Sequence, residues 1–126
     1  MRAVDTNVLV RLVTRDDAAQ VAAAEAYVER GAWVSHLVLA ETTWVLDAAY
    51  GLDHAAIATV VEMLLAHRNL SVQDAEVVSA ALASYRRRPS LGFSDCLVLE
   101  IARKAGHTPL GTFDKSLGKL DGAQRL

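Results

Sequence analysis

The chain has 126 residues, 52% of them hydrophobic, and a formal net charge of −2 at neutral pH, a size that fits one domain with a real core. Its acidic balance excludes binding to nucleic acid through bulk positive charge, so any such binding needs a local basic patch or metal-bridged phosphates. A single cysteine, Cys96, excludes an intrachain disulfide and a cysteine-built zinc site.

The histidines, His36, His54, His67 and His107, show no ligand spacing. No apolar run approaches the roughly 20 residues needed to cross a bilayer. Asp5 interrupts any apolar leader at once. A soluble cytoplasmic protein without a membrane partner is expected.

Residues 2–5 predict a short buried strand, and residues 6–13 a helix capped by Asp5 or Thr6. Asp16 and Asp17 open a second helix reaching about Arg30, where Gly31 stops it. Residues 32–35 predict a second strand, and residues 37–50 a helix ending at Gly51. Asp53 caps a helix that carries Ile57, Val60, Val61, Leu64 and Leu65 on one face. Residues 69–72 predict a third strand, and residues 74–87 a helix broken before Pro89. Ser94 caps a helix over 95–105 that Gly106 ends. Residues 108–113 predict a fourth strand, and residues 117–126 a short tail. Strands alternating with helices imply an α/β chain whose parallel sheet is covered on both faces. Ligands of such sheets bind beyond the carboxyl ends of the strands. Asp5 and Asp114 each stand at the carboxyl end of a predicted strand.

Four acids stand out: Asp5 in VDTNVLVRL, Glu41 in LVLAETTWVL, Asp95 in GFSDCLVLEIA and Asp114 in GTFDKSLGKL. Each lies against apolar sequence, where a charge is costly unless it is paired or holds a metal. Glu41 shares its helical stripe with Val38, Val45 and Ala48, which predicts an apolar setting for it. Asp95 opens a helix that is apolar on nearly all sides, so that helix is expected to be buried, with its dipole favouring the carboxylate. Taken singly, each acid also has a structural reading: Asp5 and Asp95 as helix caps, Asp114 as a turn former, Glu41 as an interface rim. Taken jointly, with the strand-end positions, they point to one shared site.

Hard oxygen ligands without histidine or cysteine select Mg²⁺ or Mn²⁺. One ion can activate a water, and a second, about 3.5–4 Å away, can stabilise a leaving oxygen. Thr6 and Thr112 could orient a carboxylate or a water, and Asn7 could hold the neighbouring acids. Helix capping accounts for all three equally well. Basic residues lie near three of the motifs: Arg11 and Arg15, Arg86 to Arg88 in succession, and Lys115 with Lys119. Arg11 and Lys115 are expected to contact substrate phosphates. The arginine triplet reads first as a solvated helix end. Phe93 and Phe113 read as core, and the 57–65 stripe as core or partly a dimer surface.

Together these segments resemble the PIN-domain family, and specifically the VapC-type toxins of bacterial toxin–antitoxin pairs, along the full length. VDTNVLVRL is similar to the family's D-[ST]-N opening. LAETTWVL resembles the second acidic segment, with Glu41 in the glutamate position. FSDCLVLEIARKAG resembles the third, through Asp95, and GTFDKSLGKL the fourth, through Thr112 and Asp114. The resemblance implies a PIN-like (Rossmann-like) three-layer α/β/α fold, one domain over 1–126 with a central, mainly parallel sheet of four to five strands. It implies an Mg²⁺-dependent endoribonuclease, with Mn²⁺ able to substitute, whose catalytic, metal-holding acids are Asp5, Glu41, Asp95 and Asp114. It also implies an RNA substrate, a homodimer, and a cognate VapB-like antitoxin whose tail blocks the active-site groove. Two other readings stand beside it: a PIN nuclease of RNA processing with no toxin role, and a binding module whose acids hold metal for structure alone.

Overall fold

The computed structural model describes residues 1–126. Its elements are β1 (Arg2–Ala3), α1 (Thr6–Thr14), α2 (Ala18–Val28), β2 (Ala32–Val34), α3 (His36–Ala48), α4 (His54–Ala66), β3 (Leu70–Val72), α5 (Ala75–Arg87), α6 (Phe93–Ala105), β4 (Leu110–Thr112), a 3₁₀ turn (Leu117–Lys119) and β5 (Ala123–Arg125). The chain forms two compact units, Met1–Ala75 and Glu76–Leu126.

The first unit is built on a parallel sheet in the order β1-β2-β3. Arg2 pairs with Ala32, and Ala32 with Leu70. The central strand alternates as its apolar residues dictate: Ala32 and Val34 are fully buried, while Trp33 between them is 38% exposed. Parallel strands need crossover connections, and α1 through α4 supply them. Oxygen caps start these helices. Asp5, Asp17, Ser35 and Asp53 each accept a backbone N–H from the first turn of the following helix, satisfying donors that have no partner within the helix. Leu9, Val10, Leu39, Leu46 and Val61 are buried within this unit.

Two expectations for this unit are corrected. The first strand is exposed at Arg2 and Ala3, and only Val4 beside it is buried. Its pairing stops early because the next residue, Asp5, turns to cap α1. In α3 the buried face is Leu39, Thr42, Thr43 and Leu46, and Glu41 is exposed. Both threonine hydroxyls donate within the helix, to the Val38 and Ala40 carbonyls at 2.7 and 2.8 Å. Their polar atoms are thereby satisfied, and their methyl groups pack like those of valine.

In the second unit α5 buries Val77, Val78, Ala81, Leu82 and Tyr85, and α6 buries Phe93, Cys96, Leu97 and Leu99. The Tyr85 and Phe93 rings meet edge to face, with centroids 5.8 Å apart. The cap of α6 is Gly92, not Ser94, and the helix begins two residues earlier than expected. Gly106 ends it at φ 82°, a conformation glycine adopts without strain. The helix is not buried on all sides as expected: its apolar residues Val98 and Ile101 are 49% and 39% exposed. The expected tail contains a strand, β5, paired in parallel with β4. All five strands therefore lie in parallel pairings, three in one sheet and two in the other. Phe93 is core, as expected, whereas Phe113 is 79% exposed. No helix is long and apolar enough to cross a membrane.

Candidate active site

Two of the acids belong to the first unit. Asp5 follows β1 with an extended backbone and accepts the Asn7 N–H through Oδ1 at 3.1 Å, as the N-cap of α1. Thr6, the first residue of α1, is 7% exposed. Its hydroxyl donates to Glu41 Oε1, joining the start of α1 to the middle of α3. The carboxylate that Thr6 contacts is that of Glu41 and not that of its neighbour Asp5. Asn7 is exposed, and its backbone rather than its side chain holds Asp5.

The other two acids belong to the second unit. Asp95 is the third residue of α6 and reaches back to accept the Gly92 N–H through Oδ2 at 3.2 Å. This is the acidic half of a capping box. Glycine at the cap lacks a side chain to return the bond, so the Asp95 contact is joined across the cap by the backbone bond from Cys96 N–H to the Gly92 carbonyl at 3.4 Å. Asp114 follows β4 and accepts the Leu117 N–H through Oδ1 at 2.7 Å, fixing the 3₁₀ turn. Thr112 Oγ1 in turn accepts the Asp114 N–H at 3.0 Å.

A common pattern joins the four. Each carboxylate has one oxygen held by a neighbouring donor: Asp5 by Asn7, Glu41 by Thr6, Asp95 by Gly92, and Asp114 by Leu117. Its other oxygen accepts from no protein group, and none of the four is ion-paired. Such acids are oriented, yet each keeps an oxygen for a ligand. In chemical type the set fits a hard divalent ion, since it offers oxygen alone. Within neither unit do three His, Cys, Asp or Glu side chains gather as metal ligands.

Arg11 is engaged differently from the expectation of a phosphate contact. Its Nη1 lies 3.1 Å from Asp16 Oδ1 and donates to the Tyr50 hydroxyl at 3.0 Å. Its Nε donates to Gln20 Oε1. Tyr50 and Thr14 hydroxyls also donate to Asp16, at 2.9 Å each. Hydrogen bonding to Tyr50 and the charge of Asp16 raise the Arg11 pKa above its ordinary value, against the opposing effect of desolvation. Hydrogen bonds from Thr14 and then Tyr50, with the charge of Arg11, hold the Asp16 carboxyl below its ordinary range. The sequence reading missed this network because Asp16 and Gln20 looked like ordinary residues at a helix start. Lys115 is exposed beside Asp114. Trp44, also overlooked, stands one helical turn beyond Glu41 and is 67% exposed.

A cavity of ≈ 600 Å³ in the first unit is lined by Leu12, Val13, Val60, Met63 and Leu64, with Arg15 and Glu25, which form an ion pair, also in its lining. None of the four acids lines it. Burial raises the pKa of the Cys96 thiol, which lies in the core at 1% exposure. It is a packing residue and not a nucleophile.

The sequence model of one family, described as PIN domain, matches residues 2–123. No curated protein and no solved structure matches the chain. The family match runs through both units and includes all four acids.

Proposed function

The chain belongs to the PIN-domain family, whose members are generally nucleases acting on RNA, and we propose on that premise that it is a metal-dependent endoribonuclease, the toxin of a VapBC-type pair. The observation that carries this reading is the shared state of Asp5, Glu41, Asp95 and Asp114: one oxygen of each is fixed by a local donor, and the other is left for a ligand. The two units are read as parts of one PIN domain, because the family match spans them.

These four acids are proposed to hold Mg²⁺, or Mn²⁺ in its place. When bound, such an ion supplies Lewis acidity that activates water against a phosphodiester. The chain's own residues set the geometry. Asp5 and Asp114 present carboxylates just beyond strand ends, the usual ligand edge of a parallel sheet. Thr6 limits the rotation of Glu41, a long side chain otherwise free to move. The capping contact does the same for Asp95. Lys115, next to Asp114, is proposed to meet a substrate phosphate.

The toxin assignment is supported by the four motifs in family order. With it come two proposed partners, a VapB-like antitoxin and a second copy of this chain. Exposed Val98 and Ile101 on α6 are apolar surface of the kind a dimer covers. The decisive experiment incubates the purified protein with total cellular RNA, with and without Mg²⁺, and maps the new ends. Discrete cleavage is expected with Mg²⁺ or Mn²⁺ and none in excess chelator. Full cleavage in chelator refutes the metal reading. Light scattering at micromolar protein is expected to give twice the chain mass, and a mass equal to one chain refutes the homodimer.

A further inference from the structure

Helices α1 and α2 pack against each other, and between them lies a groove of ≈ 430 Å³ lined by Asn7, Val8, Arg11, Gln20, Ala24 and Tyr27. Asn7 belongs to both regions: its backbone holds Asp5, and its side chain lines the groove. The groove therefore begins two residues from a proposed catalytic acid and runs a helical turn along α1 to Arg11.

Its walls and its polar groups differ in kind. Val8, Ala23 and Ala24 with the Tyr27 ring make the sides mostly apolar. The polar groups are Asn7, Arg11 and Gln20. Arg11 donates Nε to Gln20 Oε1 and Nη1 to Asp16 and Tyr50, so Nη2 is left without a protein acceptor. Guanidinium can only donate. Gln20 must therefore turn its oxygen to Arg11, which leaves its Nε2 amide uncommitted as well. Two of the residues that line the groove thus keep an uncommitted donor each, Arg11 Nη2 and Gln20 Nε2, on side chains held by their other hydrogen bonds. The Arg11 charge is already matched by Asp16 at 3.1 Å. What it offers a ligand is direction more than charge.

A phosphate is a poor match for apolar walls and a neutralised cation. A flat, unstacked base with acceptors along one edge is a good one, since RNA readers stack single-stranded bases on side chains and bond their edges. Guanine presents two adjacent acceptors, O6 and N7, with no donor between them. We propose that the α1–α2 groove is a nucleobase subsite for the RNA substrate, in which Arg11 Nη2 and Gln20 Nε2 read the O6/N7 edge of a guanine near the scissile phosphate. This inference rests on the ribonuclease reading and assigns that enzyme a sequence preference.

The test maps cleavage ends for the full-length parent, Gln20→Glu and Ala23→Leu on one pool of RNA. Gln20→Glu replaces the amide donor by acceptors. Ala23→Leu fills the groove from an exposed position of α2 and leaves the Arg11 network intact. The parent is expected to favour guanine at one fixed position near the cut by about tenfold or more over adenine, the size of one two-donor contact. Both variants are expected to lose most of that ratio. A guanine ratio unchanged in both variants, or no guanine preference in the parent, overturns the subsite while the ribonuclease reading stands. If the parent cuts no RNA, that reading has failed, and the groove is judged by titrating guanosine 5′-monophosphate into the isotope-labelled protein. Saturable shifts at the Asn7 and Gln20 side-chain amides, stronger than with the adenosine analogue, then support a guanine site, and their absence overturns it.

Discussion

Asp5 has two tasks that a pair of substitutions separates. As the N-cap of α1 it accepts the Asn7 N–H at 3.1 Å; as a proposed metal ligand it contributes a negative charge. Asp5→Ala removes both. Loss of a cap costs about 1 kcal/mol, and for a chain of this length that corresponds to a fall of roughly 3–5 °C in Tm. Asp5→Asn keeps an acceptor at the cap, where asparagine and aspartate are nearly equivalent. What it loses is the charge at the helix start, worth about 0.3–1 kcal/mol at an exposed position. Thermal unfolding by circular dichroism in chelator should therefore order the proteins as parent, then Asn, then Ala, with the Asn variant close to the parent. Cleavage of a labelled RNA in Mg²⁺ should fall by orders of magnitude in both variants, because the cap does not substitute for the charge. Added Mg²⁺ should raise the parent's Tm by mass action on the folded state, and should raise that of Asp5→Asn less. An Asn variant that cuts RNA at the parent's rate refutes the metal role. An Ala variant as stable as the parent refutes the cap energetics.

Two further variants are compared with the parent in stability and cleavage assays. Thr6→Val keeps the shape of a side chain that is 7% exposed but removes the donor to Glu41. Stability should change by no more than about 1 kcal/mol while cleavage drops; an unchanged rate means that Glu41 needs no positioning. Asp16 has a folded pKa below its ordinary value of 3.8, chiefly through hydrogen bonds from Thr14 and Tyr50. Its contribution to stability is thus complete above that value and is lost as pH falls through the lower folded pKa. Asp16→Asn should flatten the acid limb of the stability profile below about pH 4, and an unaltered limb would show that Asp16 does not contribute.

Helix positions were legible because their signals are local. Asp5, Asp17 and Asp53 are short oxygen side chains placed before apolar periodicity, and all three cap helices; Ser35, expected at the end of a strand, caps α3 in the same way. What misled was polarity read residue by residue. Thr42 and Thr43 look like surface residues, yet both are buried once their hydroxyls bond within the helix. Glu41 then falls outside the stripe that Val38 and Val45 suggested. Strand β5 carries Ala123, Gln124 and Arg125 with no buried residue. Its conformation comes from pairing with β4, a partner that no short window of sequence reveals. The Arg11 network escaped notice for the same reason, since Tyr50 lies 39 residues from Arg11.

The structural and chemical readings of the acids looked like alternatives in the sequence, and the structure makes them compatible. A carboxylate just after a strand and before a helix meets unpaired backbone N–H groups. One of its oxygens is drawn to them, which restricts the side chain to few rotamers. An isolated surface carboxylate must lose that freedom when it binds an ion, whereas a capped one has lost it on folding. Asp5 and Asp114 follow this scheme, and Asp95, inside the first turn of α6, reaches back to the backbone N–H of Gly92 to the same effect. Glu41, in the middle of a helix whose N–H groups are already used, cannot. It takes its donor from the Thr6 hydroxyl instead, and that is why a threonine beside Asp5 matters to an acid 35 residues away. Capping is thus part of how this chain prepares acids for a ligand, and the oxygen left over by each cap is where the chemistry has room to act.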